Sequence, residues 1–316
     1  MATIDYGAGV TAVDSDYLRP GLAAIHLLIE EGRAAVIDTA TQSASPLVLA
    51  ALAQRGVAPE QVDFIILTHI HLDHAGGAGV LMRKCPNARL TVHPRGVAHM
   101  VDPSKLVEGV SDVYGPQRTK EMYGELLPVE LGRIVPTPDG TTLQLAGRTL
   151  RFYETPGHAR HHVAVQDEKT GWVFAGDTFG LSYRELDENG RQFLFPTTSP
   201  VHFDPAAYHR SIDCVARLAS DAVYITHFSR IERPLEQAPI LHRLVDAHAQ
   251  LALGLRDSGA RRPALLQEAV ERLFLEEARR FGSRLSEEKL LEVYGMDVEL
   301  NAQGLDVWLD RLPVPA

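Results

Sequence analysis

The stretch that decides the reading is Val62-Asp63-Phe64-Ile65-Ile66-Leu67-Thr68-His69-Ile70-His71-Leu72-Asp73-His74, where an apolar run opens directly into a cluster of metal-binding side chains. Val62 to Leu67 fits a strand buried on both faces. Thr68 to His74 follows it as a loop. Three histidines and an aspartate fall within this short loop, and imidazole and carboxylate are the donors that suit zinc and related ions. Side chains of an extended stretch repeat with a period of two, so His69 and His71 face the same way and can share one cation. The chain then turns, which lets Asp73 and His74 reach a second. Gly76 and Gly77 let the backbone pass close to the site.

Three later segments repeat the arrangement of an apolar strand ending in a ligand residue. His158, in Pro156-Gly157-His158, follows the strand Thr149 to Glu154. Asp177 follows Trp172 to Ala175, and His227 follows Ala222 to Ile225. Active-site residues concentrate at such places because a rigid scaffold fixes the loop. Each is weak evidence alone; in this order, behind the first cluster, they are specific.

Around these motifs the first part of the chain alternates strand and helix. Leu22 to Ile29 and Ala34 to Ile37 read as a hairpin turning at Gly32. Pro46 to Gln54 reads as a helix capped by Ser45 and stopped by Gly56. Gly76 to Lys84 reads as the next helix and Leu90 to His93 as a strand. Residues from about 97 to 138, rich in Pro and Gly, read as helical pieces forming an insertion over one edge of the core. Hairpins follow at Thr142 to Glu154 and Val163 to Ala175. Pro205 to Ala219 is expected as a helix and Ala222 to Thr226 as the last core strand. Beyond about residue 233 only helices are expected: Leu235 to Arg256, Leu265 to Phe281, Glu287 to Tyr294 and Leu305 to Leu312. Leu266, Val270, Leu273 and Phe274 form an apolar stripe, Gly282 and Gly295 stand where helices should stop, and Ser286 caps the third. The expected division is a catalytic region, 1–232, and a helical region, 233–316.

Bulk properties narrow the function. The 316 residues are 45% hydrophobic and 23% charged, with a net charge of -10. That balance disfavours nucleic acid, whose phosphates need clustered Lys and Arg. Cys85 and Cys214 lack paired spacing, which argues for a reducing compartment and against cysteine ligands. Neither a signal peptide nor a membrane span is read. The expectation is a cytoplasmic protein acting on a small molecule, without membrane or nucleic-acid partners, and open to homo-oligomer formation.

The ordered motifs resemble those of the metallo-β-lactamase-fold superfamily, over about residues 10 to 230. The resemblance implies an α/β fold, a four-layer αβ/βα sandwich with the site at one edge, here with a C-terminal helical extension. It implies two divalent ions, zinc foremost, with iron or manganese suiting the same donors. His69, His71 and His158 would bind the first; Asp73, His74 and His227 the second; Asp177 would bridge them. Asp38, in Ile37-Asp38-Thr39, would orient a ligand imidazole by accepting its free N–H. Ions about 3.5–4 Å apart repel, so an anionic bridge of Asp177 and a hydroxide is required. That hydroxide, formed near neutral pH, would attack a small ester, thioester or lactone, with Asp73 and Asp177 as the carboxylates of the catalytic centre.

With Asp73, His74 and Asp177 all present, the pattern looks most like glyoxalase II-type thioesterases and lactonases. Gly180 stands where the compared lactonases carry a tyrosine, and nearby Tyr183 is a weak substitute. No glutathione-binding set of Lys, Arg and Tyr is legible in the helical tail. The segments Pro156 to His162 and Pro200 to Pro205 point to a separate branch. Within them His161, His162 and His202 are candidates for supporting the ligands or meeting substrate, as are Arg184 and Arg230 nearby. His209 reads as structural, and His26, His93, His99, His242 and His248 as ordinary residues. Two other activities share the ligand types: a mononuclear iron persulfide dioxygenase and a phosphodiesterase or nuclease.

Overall fold

Alternating side chains along the early strands fill two different cores. Leu27, Val36 and Ile65 stand in one cross-strand row and face helices, whereas Leu28, Ala35, Ile37 and Ile66 face a second sheet. The computed structural model describes residues 2–198 and 201–313. Its first sheet runs β1 (Thr3–Gly7), β2 (Val10–Asp14), β3 (Ala24–Glu30), β4 (Arg33–Ile37), β5 (Val62–Ile66), β6 (Arg89–Val92) and β7 (Ile134–Pro136) in that order. The second contains β8 (Thr142–Leu145), β9 (Arg148–Glu154), β10 (Val163–Asp167), β11 (Trp172–Gly176), β12 (Ala222–Ile225) and β13 (Ser229–Glu232), in the order β13-β12-β11-β10-β9-β8.

Between the sheets, Leu28, Ile37 and Ile66 meet Leu150, Phe152, Val165 and Phe174. The outer face of the first sheet is covered by α1 (Ser45–Gln54), the four-residue α2 (Leu72–Ala75) and α3 (Ala78–Lys84). Three further helices, α4 (Val97–Val101), α5 (Ser104–Tyr114) and α6 (Pro116–Tyr123), precede β7. The second sheet is covered by α7 (Pro205–Leu218), α8 (Pro234–Gly254), α9 (Arg262–Phe281) and α10 (Glu287–Arg311). The result is the expected four-layer sandwich. Leu266, Val270 and Phe274 of α9 pack with Tyr294, Val298 and Leu305 of α10 in the same apolar core that underlies β11 and β12.

Several expectations need correction. Thr68 to His74 is not all loop: Leu72–Ala75 forms one helical turn, with the His71 carbonyl accepting from the His74 and Ala75 amides. Ser45 is already helical, because a 3-10 turn at Gln42–Ala44 leads into α1 and puts Ala44 at the cap. The region 97–138 ends in a true edge strand, β7, whose Pro136 is tolerated because the edge needs no amide there. The last core strand is β13, not β12; its Ser229-Arg230-Ile231-Glu232 holds one apolar residue and reads as a turn. Strands β1 and β2 lie outside the expectation: β1 is polar and mostly exposed, whereas β2, Val-Thr-Ala-Val-Asp, is fully buried and its apolar pattern was passed over.

The last two expected helices are one, α10. Gly295 does not end it, although a glycine in a helix costs about 1 kcal/mol, because Val293, Tyr294, Val298 and Ala302 continue one buried face through it. Gly282 does stop α9 in the left-handed region, and the Ser286 hydroxyl accepts from the Lys289 amide as a cap. Among the described residues no helix is long and apolar enough to cross a membrane. Pro200, the start of one sequence motif, lies outside the described residues.

Candidate metal centre

The C-terminal ends of β4, β5, β9, β11 and β12 converge on one edge of the sandwich, and each delivers the residue read from the sequence. All seven expected ligands come together there. His69, His71 and His158 form one set of mutually close donor atoms; Asp73, His74 and His227 form another; Asp177 joins His69 and His74 in a third. His71 Nδ1 lies 3.0 Å from both His69 Nε2 and His158 Nε2. His227 Nε2 lies 3.3 Å from an Asp73 oxygen. Asp177 divides its carboxylate between the sets: Oδ1 lies 3.3 Å from His74 Nε2, and Oδ2 lies 3.6 Å from His158 Nε2.

Four of the imidazoles are held from behind by oxygen partners, which fixes the nitrogen they present. The Nδ1–H of His74 donates to Asp38 at 2.9 Å, that of His227 to the Leu22 carbonyl at 2.9 Å, and that of His158 to the Thr197 carbonyl at 3.4 Å. Thr68 Oγ1 donates to Asp38 and so accepts from His69 Nδ1–H, 3.2 Å away. Each ring therefore turns Nε2 toward the common centre. Thr68 was not singled out in the sequence, since nothing distinguishes it from an ordinary strand-end threonine.

Asp38, in the left-handed region with φ 57°, is the hub beneath the site. It accepts from the Thr68 amide and hydroxyl, from His74 Nδ1–H and from the Thr226 hydroxyl. His162 stands behind Asp177: its Nε2 accepts from the Asp177 amide at 3.2 Å, and its Nδ1–H lies 2.8 Å from Thr155 Oγ1. Tyr208 donates its hydroxyl to the Asp177 carbonyl at 3.1 Å.

Two glycines make these approaches possible. A Cβ on Gly157 (φ 130°) would lie 2.4 Å from the Tyr208 backbone nitrogen, and one on Gly176 (φ 49°) 2.6 Å from His162 Nε2. Gly76 and Gly77 serve a different purpose from that expected. They pass close to the backbone of residues 39–41 rather than to the donor atoms.

The donor set fits divalent cations on a direct structural ground. His74 Nε2 and Asp177 Oδ1 are buried without a hydrogen-bond partner, and such atoms are costly unless something positive sits between them. The titration pattern agrees. Burial, then neighbouring imidazoles, push His69 well below its ordinary value, and burial takes His71 down to about 3. Burial opposes charge on His74 and His227 too, but Asp177 and Asp73 outweigh it. They raise His74 well above its ordinary value and His227 to about 9. The same imidazoles hold Asp73 and Asp177 below the usual carboxylate range against burial.

A cation must therefore displace protons from His74 and His227, both held above the ordinary imidazole value, so affinity rises with pH through the neutral range. Calorimetric metal titration of stripped protein at pH 7.5, in buffers of different ionisation enthalpy, is expected to show release of about two protons or more per chain, from His74, His227 and the water that ionises at the loaded site. Release of none contradicts this electrostatic picture.

A cavity of about 380 Å³ opens over the donors, lined by His71, Asp73, Asp177 and His227 at its floor. His161, His202 and Tyr183 also line it. His202 Nδ1 has no partner, and burial pulls His202 down to about 4. Tyr183 donates its hydroxyl to Asp297 at 3.2 Å, so its oxygen is engaged with α10. Burial pushes Asp297 up to about 6. Tyr17 and Tyr123, hydrogen-bonded to each other at 3.1 Å, line the same cavity. These three residues were missed because their own segments carry no motif. Arg184 folds back on the Ser182 carbonyl, Arg230 lies over Trp172, and neither lines the cavity.

A sequence profile described as the metallo-beta-lactamase superfamily matches residues 18–227. A metallo-beta-lactamase fold-containing protein of Sulfurisphaera tokodaii is 24% identical over 216 residues, 67% of this chain and 77% of the relative. A hydroxyacylglutathione hydrolase of Aeromonas salmonicida is 29% identical over 170 residues, 53% of this chain; the match spans only 48% of that hydrolase. A crystal structure of a metallo-beta-lactamase family protein from Thermus thermophilus superposes with a TM-score of 0.64 at 25% identity, covering 92% of this chain and 95% of that one. With the two-sheet sandwich, the donor cluster at its edge and a profile match that spans both, this chain belongs to the metallo-beta-lactamase superfamily.

Proposed function

We propose that the chain is a metal-dependent hydrolase with a dinuclear centre, zinc first among the candidates, acting on a small ester, thioester or lactone. The observation that carries this reading is the division of Asp177 between the two histidine sets. One carboxylate facing two donor clusters is what a pair of neighbouring cations requires. Divalent ions bound there supply Lewis acidity and water that ionises near neutral pH. The chain's own residues do the rest. Asp38, Thr68, Thr197 and Leu22 hold the imidazoles in the tautomers that present bare Nε2 atoms. His162 and Tyr208 fix the main chain of Asp177. Residues 1–232 carry this chemistry, and 233–316 complete the wall of the substrate cavity. The hydroxyacylglutathione hydrolases among the relatives support a carbonyl substrate.

The persulfide dioxygenase reading uses only one cation and leaves Asp73, His74 and His227 without a purpose, although all three sit in donor position. Metal-loaded protein is expected to turn over members of an ester, thioester and lactone panel, at least about tenfold faster than a phosphodiester of equal leaving group. Oxygen uptake with a persulfide, or phosphodiester cleavage alone, contradicts the proposal.

A further inference from the structure

The cavity walls say more about the substrate than its floor does. Leu106 and Val110, one turn apart on α5, and Met296 and Leu300, one turn apart on α10, line it together with Met122 of α6. Four of these, Leu106, Val110, Met122 and Met296, pack on the core from one side while remaining partly exposed. Apolar faces left open beside an active centre gain by being covered with an apolar ligand. Among the described lining residues Lys105 is the one lysine or arginine. Away from the metal donors at its floor, the described wall offers a polyanionic body such as a peptide thiol with free carboxylates no cluster of Lys and Arg.

We infer that the cavity takes an uncharged, medium-length apolar chain on the hydrolysed carbonyl compound, with α5, α6 and α10 as the specificity-determining wall. This rests on the hydrolase reading for the chemistry at the floor. The wall is assembled from the segment between β6 and β7 and from the C-terminal helix, so chain length is read by elements that carry no metal ligand.

The test is calorimetric binding of straight-chain hydroxamates, from acetyl to octanoyl, to metal-loaded protein. Affinity is expected to rise about three- to fourfold per added methylene as each is buried. Two variants probe the wall. Gly109 lines the cavity on α5, and a Cβ there meets nothing within 4 Å, so Gly109→Phe adds bulk without a backbone clash. Val110→Thr keeps the shape and adds a hydroxyl.

Each is expected to cut the gain to below about twofold per methylene. A wild-type gain below about 1.5-fold, or a slope unchanged in both variants, overturns the inference. The two readings fail separately. Chain-dependent binding with no turnover of any carbonyl substrate sinks the hydrolase reading and leaves the apolar wall, whereas turnover with flat chain dependence sinks only the wall.

Discussion

Asp177→Ala is expected to lower carbonyl hydrolysis on the order of 10³-fold or more, with the fold intact. The loss follows from geometry: among the described residues no other side chain places one oxygen 3.3 Å from His74 Nε2 and another 3.6 Å from His158 Nε2. Two cations held by the two histidine sets would lose the protein carboxylate that offsets their mutual repulsion. The fold survives because Asp177 is anchored through its main chain. The amide donates to His162 and the carbonyl accepts from Tyr208, and both bonds persist in alanine. His71→Ala is expected to act similarly by removing the donor that faces both His69 and His158. Steady-state kinetics with circular dichroism as the fold control decide it; turnover at the wild-type rate in either variant contradicts the assignment.

Asp38→Ala is expected to affect both stability and metal affinity. It removes the acceptor shared by Thr68, His74 and Thr226, all of them buried. Leaving those donors unanswered costs about 3–5 kcal/mol of folding stability. Metal affinity falls about 10–100-fold, because the His74 ring loses the partner that aims Nε2 at the site. Asp38→Asn keeps the size and the tolerance for a left-handed backbone but turns its NH2 toward a donor in either orientation, so it recovers only part of the stability. It does not recover the affinity in full, because the neutral amide is a weaker acceptor for the His74 N–H. Urea unfolding and competition with a chromogenic chelator separate the two effects. Wild-type metal affinity in both variants contradicts the role given to Asp38.

The candidate metal-facing side chains were legible in the sequence because they stand at or a few residues beyond the ends of apolar strands, and a strand end fixes direction. His69, His158, Asp177 and His227 share that placement, and the sheet registers bring their strands to one edge. What surrounds the donors was less legible. Tyr17, Tyr123 and Asp297 come from a loop, the α6 segment and α10, and their meeting depends on tertiary packing with no local signature. Gly295 misled for the same reason, since propensity predicts a stop and the packing of Tyr294 and Val298 overrides it. Edge strands β7 and β13 were missed because half of each faces away from the core, so their apolar pattern thins to one or two residues.

The most direct measurement is the metal content of protein purified without chelator, by plasma emission spectrometry on chains of known concentration. Six donors in two sets, with the Asp177 carboxylate facing both, predict about two transition-metal ions per chain, falling to about one in Asp73→Ala. A stable content of one in the wild type, unchanged by Asp73→Ala, contradicts the dinuclear centre.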